Sequence, residues 1–102
     1  MDSLRHLLPS LGGLHVFEAA GRLSSFDPDL TLLEFINEPV FAKREEEWNE
    51  LNLRLAEAIR GRAPRHTLVT SGPNWGGIDG LRKLRLLPER NVVYSFHCYD
   101  PF

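Results

Sequence analysis

Leu30-Thr31-Leu32-Leu33-Glu34-Phe35-Ile36-Asn37-Glu38-Pro39 is the stretch from which the fold is read. Its first seven residues form a short, almost continuous apolar run. The turn Phe26-Asp27-Pro28-Asp29 precedes it, with proline fixing its own backbone and aspartate able to cap the turn. A run of this length between turn signals predicts a strand buried on both faces. It closes on a polar pair and a proline. Downstream, Lys43 to Arg60 is predicted to be a helix, because Trp48, Leu51, Leu55, Ala58 and Ile59 recur as an apolar stripe. Glu45, Glu46 and Glu47 in the early turns and Arg60 and Arg62 at the end suit the helix dipole. Gly61 is the expected stop, with Pro64 beyond it. His66 to Ser71 reads as a second strand, Gly72 to Gly77 as a turn-rich loop, Ile78 to Leu86 as a short helix and Asn91 to Tyr99 as a third strand. Strands that alternate with helices imply a parallel sheet with helical crossovers, an α/β architecture.

Upstream the signal weakens. Leu14 to Ser25 fits a helix with Phe17, Ala20, Gly21 and Ser24 along one side. Residues 1–13 have no clear period, contain Pro9 and the pair Gly12-Gly13, and read as a loop or frayed end. The chain has 102 residues, enough for a modest core. Its 42% apolar and 25% charged residues are ordinary for a globular chain. A formal charge of −2 with no basic stripe gives no reason to expect nucleic acid as a partner. No stretch approaches the roughly 20 apolar residues of a membrane span, so no membrane partner is expected. Residues 1–8 include Asp2, Arg5 and His6 and do not read as a secretory signal. Cys98 is the one cysteine, which leaves no disulfide framework. It sits in an apolar run and reads as a small buried apolar side chain rather than a nucleophile.

In parallel α/β sheets the functional groups collect beyond the carboxyl ends of the strands. That rule singles out Asn37-Glu38, Asn74-Trp75 and His97 to Tyr99. Glu38 precedes a proline, so it is expected to be extended and to project from a strand end into a loop. There it can serve as a general acid/base; taken alone, Asn37-Glu38 can equally begin a helix. His97 and Tyr99 stand two apart on one side of the third strand, with Val93 and Ser95, while Tyr94, Phe96 and Cys98 share the other. Side by side, they can donate to sugar hydroxyls or orient a carboxylate, or they can be satisfied locally. Trp75 offers a flat platform for a sugar face, or a loop anchor in the core. Gly72 to Gly77 lacks the lysine and hydroxyl residue of a phosphate loop and the glycine spacing of a dinucleotide site. His6, His15, His66 and His97 show no metal-ligand spacing. Neither a metal nor a cofactor is expected.

Taken together, the motifs resemble a known family. Leu33 to Pro39, ending Asn-Glu-Pro, is similar to the fourth-strand signature of family 5 glycoside hydrolases. Asn91 to Phe102, with its His-x-Tyr pair, resembles the sixth strand, and Thr67 to Trp75 the fifth. The resemblance runs from about Phe17 to Phe102. It implies part of a (β/α)8 TIM barrel, about three parallel strands with crossover helices, belonging to one glycoside hydrolase domain across residues 1–102. It implies a retaining endo-β-1,4-glucanase or mannanase-like hydrolase, acting on a polysaccharide or oligosaccharide. Glu38 would be the general acid/base, and Asn37 would bond the sugar 2-hydroxyl. His97 would line the same subsite, Tyr99 would position the nucleophile, and Trp75 would line the cleft. The parent enzyme is expected to be secreted or periplasmic.

The family's nucleophilic glutamate follows the seventh strand, which has no counterpart here. A retaining pair needs carboxyl groups about 5 to 5.5 Å apart, whereas Glu34 lies about 13 Å back along an extended strand from Glu38. The chain therefore reads as a fragment without its nucleophile, with sheet edges open to self-association. Two other readings stand beside this one: a non-catalytic carbohydrate-binding or interaction fragment, and a small unrelated α/β domain.

Overall fold

The computed structural model describes residues 13–41 and 43–98, excluding the side chains of residues 13–17. The elements run α1 (Gly13–Leu23), β1 (Leu32–Glu34), α2 (Glu45–Arg62), β2 (Thr67–Ser71), α3 (Ile78–Leu81) and β3 (Val92–Ser95). The three strands form one parallel sheet in the order β1-β2-β3. Leu33 pairs with Leu68, which pairs with Val92, so the apolar positions share a layer across the sheet.

One face of that layer is covered. Trp48, Leu51, Leu55 and Ile59 of α2 pack with Leu33, Leu68, Ala20 and Leu87 into the core. The stripe expected on α2 is the buried stripe. At the start of α2, Lys83 reaches the Glu45 carboxylate at 3.0 Å and Arg85 bonds Glu46. A hydrogen bond to its own backbone, and then Lys83, hold the Glu45 carboxyl below its ordinary value.

The other face differs from expectation. β1 alternates exposed, buried, exposed rather than being buried on both sides. Leu32 is 64% exposed and Val93 47%. Leu32, Glu34, Val69 and Val93 point to the side where a closed barrel would bring opposing strands, and three strands do not supply them.

Several element ends also differ, each for a local reason. β1 starts late because Leu30 N–H bonds back to Asp27 O within the turn, where Asp29 N–H is capped by Asp27 Oδ1. Gly61 does not stop α2. The helix runs to Arg62, and Ala63 N–H makes the last bond to Ile59 O. The helix expected to reach Leu86 ends at Leu81. There Asn49 of α2 accepts from Arg85 N–H and donates to Lys83 O, capturing the backbone that would have continued the helix. β3 stops at Ser95 because β2, its ladder partner, stops at Ser71, so Cys98 lies beyond the strand and is exposed rather than buried.

Candidate active site

The carboxyl ends of the three strands are sewn together by backbone bonds. After β1, Pro39 O accepts from Trp75 N–H (2.8 Å) and Phe41 N–H donates to Pro73 O (2.7 Å), around an antiparallel bridge between Val40 and Asn74. After β2, Gly76 O accepts from His97 N–H (2.8 Å), beside a parallel bridge between Gly77 and His97. Residues 73–77 thus form a strap joining the segment after β1 to the segment after β3.

The strap needs its glycines. A Cβ on Gly72 would collide with the Gly80 carbonyl within α3. Gly76 has φ +69, and a Cβ there would face Ser71 and His97. Two other residues at these ends, Glu38 (φ 50) and Trp75 (φ 52), also occupy the left-handed region, uncommon for residues with a side chain. Glu38 is therefore not extended as its proline had suggested. Its backbone turns sharply at the end of β1, and Pro39 to Phe41 pair with the strap. The loop reading holds: α2 does not begin until Glu45, so Asn37-Glu38 starts no helix.

That turn brings Glu38 to a histidine far away in sequence. Glu38 Oε1 lies 3.0 Å from His97 Nδ1 across a separation of 59 residues. Both side chains are partly exposed, 32% for the glutamate and 28% for the histidine. A protonated Nδ1 donates to the carboxylate; a protonated Glu38 donates to a bare Nδ1. The pair can therefore hold one proton on either atom while the glutamate stays open to an incoming group.

The other expected residues are arranged around this pair. Asn37 is exposed at the end of β1. The Trp75 side chain is 56% exposed, so it is not the core anchor weighed as its alternative. Tyr99 lies outside the described residues, as do residues 1–12. Sequence reading missed how the strap is held from below. Trp48 is fully buried; its indole N–H donates to Ser71 O (2.9 Å) and its ring meets Phe41 at 5.3 Å. The stripe pattern marked Trp48 as core but carried no sign of a polar bond to β2.

The family model for cellulase (glycosyl hydrolase family 5) matches residues 18–102. The chain belongs to glycosyl hydrolase family 5. Among relatives of this family 5 chain, endoglucanase C of Acetivibrio thermocellus is 36% identical over 55 residues, covering 54% of this chain and 16% of that protein. Cellodextrinase A of Ruminococcus flavefaciens is 28% identical over 86 residues, 84% of this chain and 26% of that protein. Among solved structures, endoglucanase Cel5A from the hyperthermophilic Thermotoga maritima matches with a TM-score of 0.77 at 32% identity. The match covers 84% of this chain and 28% of Cel5A. The family 5 chain thus spans 8–26% of the length of the curated relatives it matches. Its three parallel strands and crossover helices are part of a (β/α)8 arrangement. An unrelated small α/β domain is thereby set aside.

Proposed function

We propose that Glu38 is the general acid/base of a retaining family 5 glycoside hydrolase site acting on β-1,4-linked glucan or mannan. The observation that carries this reading is the Glu38–His97 pair at the carboxyl ends of adjoining parallel strands, in a chain of that family. Glu38 protonates the glycosidic oxygen as the leaving sugar departs, then takes the proton of the incoming water. His97, on Oε1, keeps the carboxyl aimed and shares its proton. Asn37, exposed beside Glu38, bonds the 2-hydroxyl of the sugar at the scissile bond. Tyr99 orients the nucleophile, and Trp75 presents an apolar face to a sugar ring. The Thermotoga maritima relative has been solved with cellobiose and with mannotriose, which makes both linkages candidates for this chain.

The nucleophile belongs, on this proposal, to a part of the barrel outside these three strands, and residues 1–102 are one segment of a single (β/α)8 domain. Turnover then requires the rest of the barrel. The test is paired: calorimetric binding of cello- and manno-oligosaccharides to the chain, and hydrolysis of soluble glucan and mannan, each with Glu38→Gln alongside. Binding without turnover is the expected result. Hydrolysis by the chain that Glu38→Gln abolishes would place a nucleophile within these residues, against the proposal. The exposed Trp75 ring also supports a second reading, a saccharide-binding segment whose affinity ignores Glu38. Unchanged affinity in Glu38→Gln, with a large loss in Trp75→Ala, would favour it.

Among the described residues, the exposed face of the sheet at Leu32 and Val93 and the outer edges of β1 and β3 also support self-association. Sedimentation should show mass rising with concentration; a monomer throughout would refute this.

A further inference from the structure

We propose that Trp48 is a positioning residue for the Glu38–His97 pair, acting through the strap 73–77 and through Phe41. The inference rests on Glu38 being the acid/base, because only then does the pair's geometry matter to catalysis.

The argument starts from where a buried indole spends its one donor. Trp48 lies in the second turn of α2, on the core side. Burying its ring satisfies the hydrophobic effect, but an unpaired indole N–H would be costly there. That N–H donates to Ser71 O, at the last residue of β2 and at the root of the strap. The same ring lies against Phe41, with centroids 5.3 Å apart and planes tilted by 32°. Phe41 is the last residue of the segment that runs from Glu38 and pairs with the strap. One side chain therefore fixes two things at once: the height of the strap's root and the seat of the segment that carries Glu38.

From the strap, the path to the pair is continuous. Pro39 O and Phe41 N–H bond to Trp75 and Pro73, and Gly76 O bonds His97 N–H. Gly72 against Gly80 leaves the root no slack on its other side, since a methyl would not fit between them. A shift of Ser71 is thus passed to both members of the pair. Removing the indole N–H while keeping a ring should leave the core filled but let the strap ride up. The Glu38–His97 hydrogen bond should loosen before the fold does.

The test uses the whole 102-residue chain with nitrogen-15 histidine and reads the hydrogen-bonded Nδ1 proton of His97 by NMR. Glu38→Ala identifies the signal and sets its unpaired limit. Trp48→Phe should speed exchange of that proton on the order of tenfold, toward that limit, while circular dichroism shows a folded chain. Leu55→Ala, a core truncation on the same helix away from the strap, controls for general destabilisation and should leave the exchange rate unchanged. If Trp48→Phe does not fold, Phe41→Leu, which keeps the indole bond and removes the ring contact, should speed exchange severalfold. Unchanged exchange in a folded Trp48→Phe, or in Phe41→Leu where the first variant fails to fold, would overturn the proposal. So would equal acceleration by Leu55→Ala. The readout needs no turnover, so failure to bind sugar would count against the role of Glu38 and leave this geometry standing.

Discussion

At the amino ends of the strands, the Arg60 guanidinium gathers the backbone. Its Nη1 donates to Ala63 O, Pro64 O and His66 O, its Nη2 to Arg90 O and Asn91 O, and its Nε faces the Glu89 carboxylate at 3.6 Å. Those carbonyls belong to the connections entering β2 and β3. At the carboxyl ends the same connections are joined mainly by backbone pairing, through residues at positive φ, and the Glu38–His97 pair there stays partly open. One end is tied by a charged side chain with many acceptors. The other is held by a strap whose fit depends on two glycines and an indole. The difference fits the proposed site: stability would gather below the sheet, and the groups proposed to meet a ligand would gather above it.

If the division is real, damage at the two ends should be separable. The largest effect is expected at the strap. Gly72→Ala places a methyl against the Gly80 backbone, and should cost about 3 kcal/mol in urea unfolding while also destroying the protected His97 Nδ1 proton. Next is the clamp. Arg60→Met keeps the aliphatic stem but leaves several carbonyls with poorer partners, and should cost about 2 kcal/mol. It should leave the His97 proton as protected as in the parent chain. If Arg60→Met loosens the pair as much as Gly72→Ala does, the two ends are one cooperative unit and the comparison fails.

The smallest effect belongs to neither end. The Glu45 carboxyl is held below its ordinary value, so it favours the folded state when charged. That contribution is present above the unfolded-state value and is lost as pH falls through the depressed one. Glu45→Gln should therefore remove a little stability near neutrality and none in strong acid. Acid-dependent melting of the two chains checks this; curves that stay parallel down to low pH would contradict it.

How much of this was legible beforehand follows the range of the interactions. The alternation of strands and helices comes from local periodicity, and the buried stripe of α2 could be read residue by residue. Asn37, Glu38, Trp75 and His97 are candidates because strand ends are where a parallel sheet presents its polar groups. Contacts made at a distance left no local mark. The short α3 depends on Asn49 reaching across to Lys83 and Arg85, and the proline after Glu38 gave the wrong backbone because pairing with the strap overrides it. The exposed side of β1 was misread for a similar reason. An apolar run reports what a strand is suited to meet in a barrel, not what three strands supply.

The central claim concerns Glu38, and transplantation tests it most directly. Residues 18–98 would replace the matching segment of Thermotoga maritima Cel5A, which supplies the rest of a barrel, and the chimaera would be assayed on soluble glucan. The expected result is hydrolysis that Glu38→Gln lowers by about a hundredfold or more, the usual scale for loss of a general acid/base. A folded, active chimaera whose rate is indifferent to Glu38→Gln would contradict the account.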